Sequence, residues 1–391
     1  MDGTVELGAR IAEVAFVGVN IDDMPAEMLH EIINNATPES AFSLSRTGRR
    51  YRQAVNQKKN KICEEYLNND KIKEICTTSN DATHKWCRET SNLCDKVFTN
   101  YEDLINLGNG TYRIPDGVIV IANSDFKEND DIRQIIIPDS VTKIYGGAFY
   151  RCESLTSITI PDSVTEIGIY AFYQCESLTS ITIPDSVTKI EENAFKRCRS
   201  LTSVTIPDSV TEIGDRAFAD CENLTTATIG NSVTKIAIRA FEECYSLTSV
   251  TIGDYVTVIG EAAFIFCRSL TSITIPDSVT EIKELAFAGC ESLTSITIPD
   301  SVTKIGKNAF EGCTSLTSVT IGISVTKIGN RAFKNCTSLT SVIIQSVTEI
   351  GIRAFYGCES LTSITVPNSI KIKDVADDAV PDHTEIIFTL D

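Results

Sequence analysis

Hydrophobic and polar residues alternate in short segments that recur every 23 residues along most of this chain. In one such segment Ile181 and Ile183 alternate with Ser180 and Thr182, which predicts a β-strand with one buried and one exposed face. A Pro-Asp-Ser tripeptide follows, and its residues favour a turn that ends the strand. Each repeat therefore predicts one short strand whose aliphatic side chains enter a core.

Each repeat also has a phenylalanine, which follows an alanine and precedes a cysteine by three residues. The phenylalanines are Phe149, Phe172, Phe195, Phe218, Phe241, Phe264, Phe287, Phe310, Phe333 and Phe355. The cysteines are Cys152, Cys175, Cys198, Cys221, Cys244, Cys267, Cys290, Cys313, Cys336 and Cys358. A spacing of 23 residues, with a last step of 22, predicts a solenoid. The Ala-Phe segment predicts one helical turn opposite the strand, and residues 187–190 predict a second short extended segment.

The pattern weakens at both ends of the array, as expected where one face of a repeat meets water. Before the first full repeat, Phe126 keeps the register, whereas Asn129 stands at the cysteine position. After the last, residues 385–390 predict a closing strand. Counting from Ile135, we predict eleven strands before that closing strand.

The motif A-F-x-x-C-x-S-L-T-S-I-T-I-P-D-S-V-T-x-I-G, found across residues 118–370, resembles the BspA-type leucine-rich repeat. The resemblance implies one parallel strand per repeat, stacked into a right-handed, curved solenoid. Together with the predicted helical turn, this makes the expected fold class an α/β solenoid. The motif is specific for the fold and says little about a ligand.

Ten of the 14 cysteines occupy the same position in successive repeats. Equivalent side chains in neighbouring strands are parallel and about 4.8 Å apart. A disulfide needs Cβ atoms about 3.8 Å apart and directed toward each other. We therefore predict a ladder of buried free thiols, which favours a reducing compartment.

Two outward columns of the predicted strands consist almost entirely of hydroxyl side chains. One column is Ser157, Ser180, Ser203, Thr226, Ser249, Ser272, Ser295, Ser318, Ser341 and Ser363. The next is Thr159, Thr182, Thr205, Thr228, Thr251, Thr274, Thr297, Thr320, Ile343 and Thr365. Protein-binding surfaces are enriched in aromatic residues and arginine, so a solvated sheet is the simplest interpretation. A surface for a polar or sugar-like ligand is the alternative.

The segments around the phenylalanines vary more and supply the candidate partner-binding residues. These are Tyr150, Tyr173, Tyr245, Phe266 and Arg268. Phe266 and Ile265 beside Tyr245 form an apolar cluster that the pattern places outside the core. Incidental exposure of these side chains is the alternative to a contact surface.

The first 110 residues lack the repeat and have helical patterns, and part of them resembles the F-box. That motif runs L-P-x-E-I-L, a short break, then L-x-x-V-C-(K/R)-x-W. The matching residues are Met24, Pro25, Glu27, Met28, Leu29, Ile32, Ala41, Phe42, Leu44, Arg49 or Arg50, Tyr51 and Val55. Met24 replaces leucine, Tyr51 replaces tryptophan, and Thr47-Gly48 stands near the usual Val-Cys. An ordinary three-helix bundle is the alternative.

The F-box resemblance implies a small all-α domain that binds a Skp-type adaptor of a cullin–RING ubiquitin ligase. Pro25, Leu29, Ile32 and Phe42 would make or support that contact. The solenoid would then bind an unknown protein substrate of the ligase.

We therefore divide the chain into an F-box-like domain (1–56), a helical linker region (57–110) and a capped solenoid (111–391). Helices are predicted in the linker region at 58–76 and 86–107. This region has four cysteines and a histidine without a C-x-x-C pair, so buried cysteines are preferred to a metal site. They are Cys63, Cys76, Cys87, Cys94 and His84.

A net charge of −18 argues against general binding of nucleic acids. The basic stretch at 46–61 predicts a solvated helix face more readily than a nucleic-acid patch or a localisation signal. No apolar run reaches the roughly 18 residues of a membrane helix, and the acidic N-terminus is unlike a signal peptide. We expect a cytoplasmic or nuclear protein that does not enter a membrane and is not obviously secreted.

The sequence has no recognisable catalytic constellation. His30, His84 and His383 lie in different segments, and neither a P-loop nor a nucleophile-elbow motif is present. We expect a protein without enzymatic activity or cofactor. The leading hypothesis is a substrate-recognition subunit of a cullin–RING ligase. The alternatives are a BspA-like surface or adhesion protein, and a leucine-rich repeat scaffold without a ubiquitin role.

Overall fold

The computed structural model describes residues 97–98, 104–118, 120–121, 126, 129–368, 370 and 378–389. All of them belong to one compact unit, Val97–Asp391. The F-box-like segment and the cysteines of the linker region lie outside the described residues.

The described part of the chain contains 26 short strands and no helix. In chain order they are β1 (Val97–Phe98), β2 (Ile105–Gly108), β3 (Thr111–Arg113), β4 (Val120–Ile121), β5 (Gln134–Ile136), β6 (Lys143–Ile144), β7 (Ser157–Thr159), β8 (Glu166–Ile167), β9 (Ser180–Thr182), β10 (Lys189–Ile190), β11 (Ser203–Ile206), β12 (Glu212–Ile213), β13 (Thr226–Ile229), β14 (Lys235–Ile236), β15 (Ser249–Thr251), β16 (Val258–Ile259), β17 (Ser272–Ile273), β18 (Glu281–Ile282), β19 (Ser295–Ile298), β20 (Lys304–Ile305), β21 (Ser318–Ile321), β22 (Lys327–Ile328), β23 (Ser341–Ile343), β24 (Glu349–Ile350), β25 (Ser363–Val366) and β26 (Glu385–Phe388).

The odd-numbered strands from β5 to β25 form the main face of the solenoid. Buried and exposed residues alternate along them, because successive side chains of a strand point to opposite faces. Ile181 is buried between exposed Ser180 and Thr182. The predicted eleven strands and their inward and outward residues are confirmed.

The even-numbered strands from β4 to β24 form a second, narrower column after the Pro-Asp-Ser turn. In this turn the Val164 N–H donates to the Pro161 carbonyl at 3.0 Å. Pairing within both columns is parallel and joins equivalent residues, as in Ile181 with Ile158. The sheets are β2-β3-β5-β7-β9, β11-β13-β15-β17 and β19-β21-β23-β25-β26 on the main face, and β1-β4-β6-β8-β10-β12 and β14-β16-β18-β20-β22-β24 in the second column.

The Ala-Phe segment forms successive turns, so the predicted helical turn, and with it the α component of the fold class, is absent from the described residues. Along the segment, N–H groups bond alternately within the turn and to the next rung. The Ala171 N–H donates to Gly168 at 3.1 Å, whereas the Phe172 N–H donates to Ala194 at 2.7 Å. An α-helix would use every N–H locally. The residues two positions before and two positions after the phenylalanine have a left-handed backbone, as Tyr170 and Gln174 do, each at φ 57°.

Arg331→Gly is expected to be more stable than Arg331→Ala by about 1 kcal/mol. Arg331 is exposed with φ 56°, and the left-handed region costs a residue with a Cβ about 1–2 kcal/mol. Glycine avoids that cost, but it also raises the conformational entropy of the unfolded chain, which offsets part of the gain in stability. Urea denaturation of both variants measures the difference, and equal stability would contradict the strain.

A stack of eleven phenylalanine rings runs through the core from Phe126 to Phe355. Neighbouring ring centroids lie 5.0–5.4 Å apart with nearly parallel planes. The ten ring-associated cysteines are buried and free, as predicted. Each thiol donates to the phenylalanine carbonyl of the preceding rung, as from Cys198 Sγ to Phe172 O at 3.2 Å. Phe172 O also accepts the Cys175 N–H at 3.2 Å, so the thiol of the next rung gives this buried carbonyl a second donor.

Both ends of the solenoid carry extra strands. The predicted closing strand is confirmed as β26, which pairs in parallel with β25. At the N-terminal end β2 and β3 form an antiparallel hairpin through Asn109 and Gly110, both left-handed, as in a type I′ turn. The helix predicted for 86–107 is therefore wrong at its C-terminal end, where the described residues form β1 and β2.

Candidate interaction surfaces

The strand face presents a uniform hydroxyl surface. Thr179 Oγ1 donates to the Thr156 carbonyl at 3.3 Å, and the equivalent threonines repeat this bond along the solenoid. These hydroxyls hold adjacent rungs together. The outward serine and threonine columns beside them differ little from rung to rung, with Ile343 an exposed exception. This face therefore offers few features by which a protein partner could recognise one position.

An aromatic–arginine cluster occupies the turn edge, the side of the solenoid formed by the Ala-Phe segments. The cluster consists of Glu243, Tyr245, Phe266, Arg268 and Glu291. The Arg268 guanidinium lies 5.0 Å from the Tyr245 ring and 6.0 Å from the Phe266 ring. Its Nε lies 3.5 Å from a Glu291 carboxylate oxygen. Three predicted partner-binding residues thus meet on one surface.

Tyr245 is held in this cluster by its hydroxyl, which donates to Glu243 Oε2 at 2.6 Å. This bond to a carboxylate, with partial burial, raises the pKa of Tyr245 to about 12. The phenol therefore keeps its proton, and with it the bond to the carboxylate, to a higher pH than an ordinary tyrosine would.

Phe266 is the bulkiest member of the cluster with a left-handed backbone, which Glu243 shares at φ 58°. Its φ of 60° is an outlier for a bulky residue, and its side chain is 39% exposed. The ring lies against the Cα of Gly289 on the next rung, where a Cβ would collide with it. The left-handed backbone is common to this column, as in Glu243 and Asn335, so the exposed aromatic ring is what distinguishes Phe266.

A second cluster on the turn edge consists of Tyr150, Tyr170 and Tyr173. Tyr150 and Tyr173, both predicted from the sequence, stack with centroids 4.9 Å apart. Tyr170 meets Tyr173 edge-on at 5.4 Å. Sequence reasoning missed Tyr170, although the signal was present: the equivalent residues are mostly arginine, asparagine or glycine.

Ion pairs occupy the edge between the two clusters. Arg239 pairs with Glu242 at 3.0 Å, and Lys196 pairs with Asp220 at 3.4 Å. Desolvation by burial is the largest influence on Glu242 and raises the pKa of its carboxyl. Partly exposed pairs of this kind contribute at most about 1 kcal/mol each.

The adaptor-binding role of four N-terminal residues stays a prediction. Pro25, Leu29, Ile32 and Phe42 lie outside the described residues. Within the described ranges no His, Cys, Asp and Glu side chains form a group that fits a metal ion. In the same part of the chain no helix is long and apolar enough to cross a membrane.

The pattern described as "BspA type Leucine rich repeat region" matches six copies in this sequence, over residues 92–196, 165–293 and 257–376. The chain belongs to the BspA-type leucine-rich repeat family. This family assignment agrees with the parallel columns and indicates no enzyme class. No curated protein matches the chain.

Several solved structures resemble this BspA-type protein. A leucine rich cell surface protein from Faecalibacterium prausnitzii is 30% identical, over 76% of this chain and 88% of that chain, with a TM-score of 0.45. A leucine-rich repeat protein from Bacteroides ovatus is 26% identical, over 75% and 97%, with a TM-score of 0.37. A leucine-rich repeat protein from T. pallidum is 33% identical, over 44% and 82%, with a TM-score of 0.41.

Proposed function

We propose that this protein is a non-enzymatic interaction protein that binds a partner protein through the turn edge of its solenoid. The observation that carries the proposal is the aromatic–arginine cluster around Phe266. Tyrosine, phenylalanine and arginine are enriched in protein interfaces. The strand face, by contrast, repeats the same hydroxyl groups on nearly every rung.

A role on a cell surface is the setting we favour for this interaction. The free cysteines of the repeats are the reason that the sequence predicts a reducing compartment. All ten solenoid thiols are buried, and burial protects a thiol from oxidation wherever the protein resides. The free thiols are therefore compatible with export. Labelling of intact producing cells with a membrane-impermeant amine reagent tests this setting, and labelling only after lysis would contradict it.

Site-specific photocrosslinking tests the binding edge. Benzoylphenylalanine replaces Tyr245 on the turn edge in one variant and Thr228 on the strand face in a matched control. We expect a discrete protein crosslink from position 245 in the producing cells and none from position 228. A crosslink confined to position 228 would place the interface on the strand face and overturn the proposal.

The second candidate function is substrate recognition in a cullin–RING ligase, motivated by the sequence order from Met24 to Val55. A pull-down of the full chain with a Skp-type adaptor tests it. Binding that is lost in Leu29→Asp with Phe42→Asp would support this function. Absence of binding, or binding that both substitutions leave intact, would exclude it.

A further inference from the structure

The turn edge beside Phe266 forms an apolar ledge over three rungs, defined by Ile265, Phe266, Ala288, Gly289 and Gly312. Consecutive rungs are joined here by backbone bonds: Phe266 N–H donates to Ala288 O and Gly289 N–H to Glu311 O, each at 2.7 Å. Phe266 covers Gly289, whereas a Cβ at Gly312 would meet nothing closer than 3.9 Å. The ledge therefore ends at Gly312, where only Gly289 backbone atoms lie within 4 Å of the position a Cβ would take.

Acidic groups border this ledge, and one of them lacks a cationic partner. Glu242 pairs with Arg239, Glu291 with Arg268, and Glu311 with Lys334, at 3.0, 3.5 and 2.7 Å respectively. Among the described residues no lysine, arginine or histidine lies within ion-pair distance of Glu243. Its carboxylate accepts only the Tyr245 hydroxyl, and its N–H donates to Ile265 O at 2.9 Å. An oriented, unneutralised carboxylate thus adjoins the ledge.

We propose that the ledge binds a segment of the partner protein in which an apolar side chain is next to a lysine or arginine. The apolar side chain packs over Gly312 against the Phe266 ring, and the cation pairs with Glu243. A cation of the partner would give Glu243 the ion pair that the described residues do not supply. Packing against a partner also gives a reason for an exposed phenylalanine in a column whose next two members are Gly289 and Gly312. This inference rests on the turn edge being the binding surface.

The test is selection of a random-peptide phage library on the immobilised full chain. We expect enrichment of peptides with a basic residue beside an aromatic or aliphatic one. Synthetic versions of the selected peptides are then measured by fluorescence anisotropy. Phe266→Gly should weaken them about tenfold or more, the loss typical of a central interface residue. Glycine suits φ 60°, so this variant is expected to keep its fold, which thermal melting verifies.

Glu243→Gln separates charge from shape, because glutamine can still accept the Tyr245 hydroxyl. We expect severalfold weaker peptide binding that is also less sensitive to salt. Asn335→Gly, in the same column as Phe266, and Glu359→Gln, at an exposed acid elsewhere on the edge, are matched controls and should change nothing.

Selected peptides rich in acidic residues, or basic–apolar peptides whose binding survives both substitutions, would overturn the ledge inference. Those results would leave the turn-edge proposal standing if photocrosslinking from position 245 still succeeds. Failure of the photocrosslink would instead remove the turn-edge proposal itself.

Discussion

Phe241→Ala is expected to destabilise the solenoid by about 3–5 kcal/mol, the range for truncating a buried phenylalanine. The Phe241 ring is fully buried and lies between Phe218 and Phe264 with both centroid distances 5.4 Å. Its removal leaves a cavity that neighbouring rungs cannot close, because backbone bonds fix their spacing. Repeat arrays are stable through contacts between neighbours, so a defect in the middle weakens the coupling of the two halves.

Urea denaturation followed by far-ultraviolet circular dichroism measures this effect. We expect a lower midpoint and a broader or two-step transition for Phe241→Ala. Phe241→Leu fills most of the same volume and should lose much less stability with one transition. A midpoint equal to that of the wild type for Phe241→Ala would show that the ring stack does not determine the stability of the core.

The strand columns were predictable because a period of two and a repeat of 23 residues leave one arrangement that buries every aliphatic side chain. A shift of one residue in a strand such as β9 would expose Ile181 and bury Thr182. The same constraint explains the last step of 22 residues. Ile344 and Val347 stay buried on either side of Gln345-Ser346, so the turn absorbs the missing residue.

The turn edge was not predictable from local pattern, because interactions between rungs determine its backbone. Tyr170 and Arg331 have no intrinsic preference for positive φ. They adopt it because their N–H groups bond to Glu192 and Ile352 on the next rung, at 3.1 and 2.9 Å. Without knowledge of those bonds between rungs, an Ala-Phe pair with a cysteine three residues after the phenylalanine predicts a helical turn. The grouping of Tyr245, Phe266 and Arg268 was predicted, because adjacent rungs place equivalent residues side by side.

The cysteine ladder predicts an unusually steep loss of stability in alkali. Burial raises the pKa of nine solenoid thiols above the ordinary value of 9.0, to about 12 for Cys152 and Cys313. In the unfolded chain these thiols ionise above about pH 9, whereas the folded chain keeps their protons. The unfolded state then binds fewer protons, so stability falls as pH rises. The stability that these protonated thiols contribute is complete below pH 9. It is lost as the pH rises toward the pKa values of the thiols in the folded state.

In that window each thiol lowers the free energy of unfolding by about 1.4 kcal/mol per pH unit. Because a folded domain has only about 5–15 kcal/mol to lose, we expect the solenoid to unfold near pH 10. Guanidinium denaturation at stepped pH measures the slope. Cys221→Ala should reduce the slope by one proton, whereas Leu224→Ala, buried in the same rung, should lower stability at every pH and leave the slope unchanged. A flat profile up to pH 11 would mean that the thiols are accessible to water and that burial does not protect them.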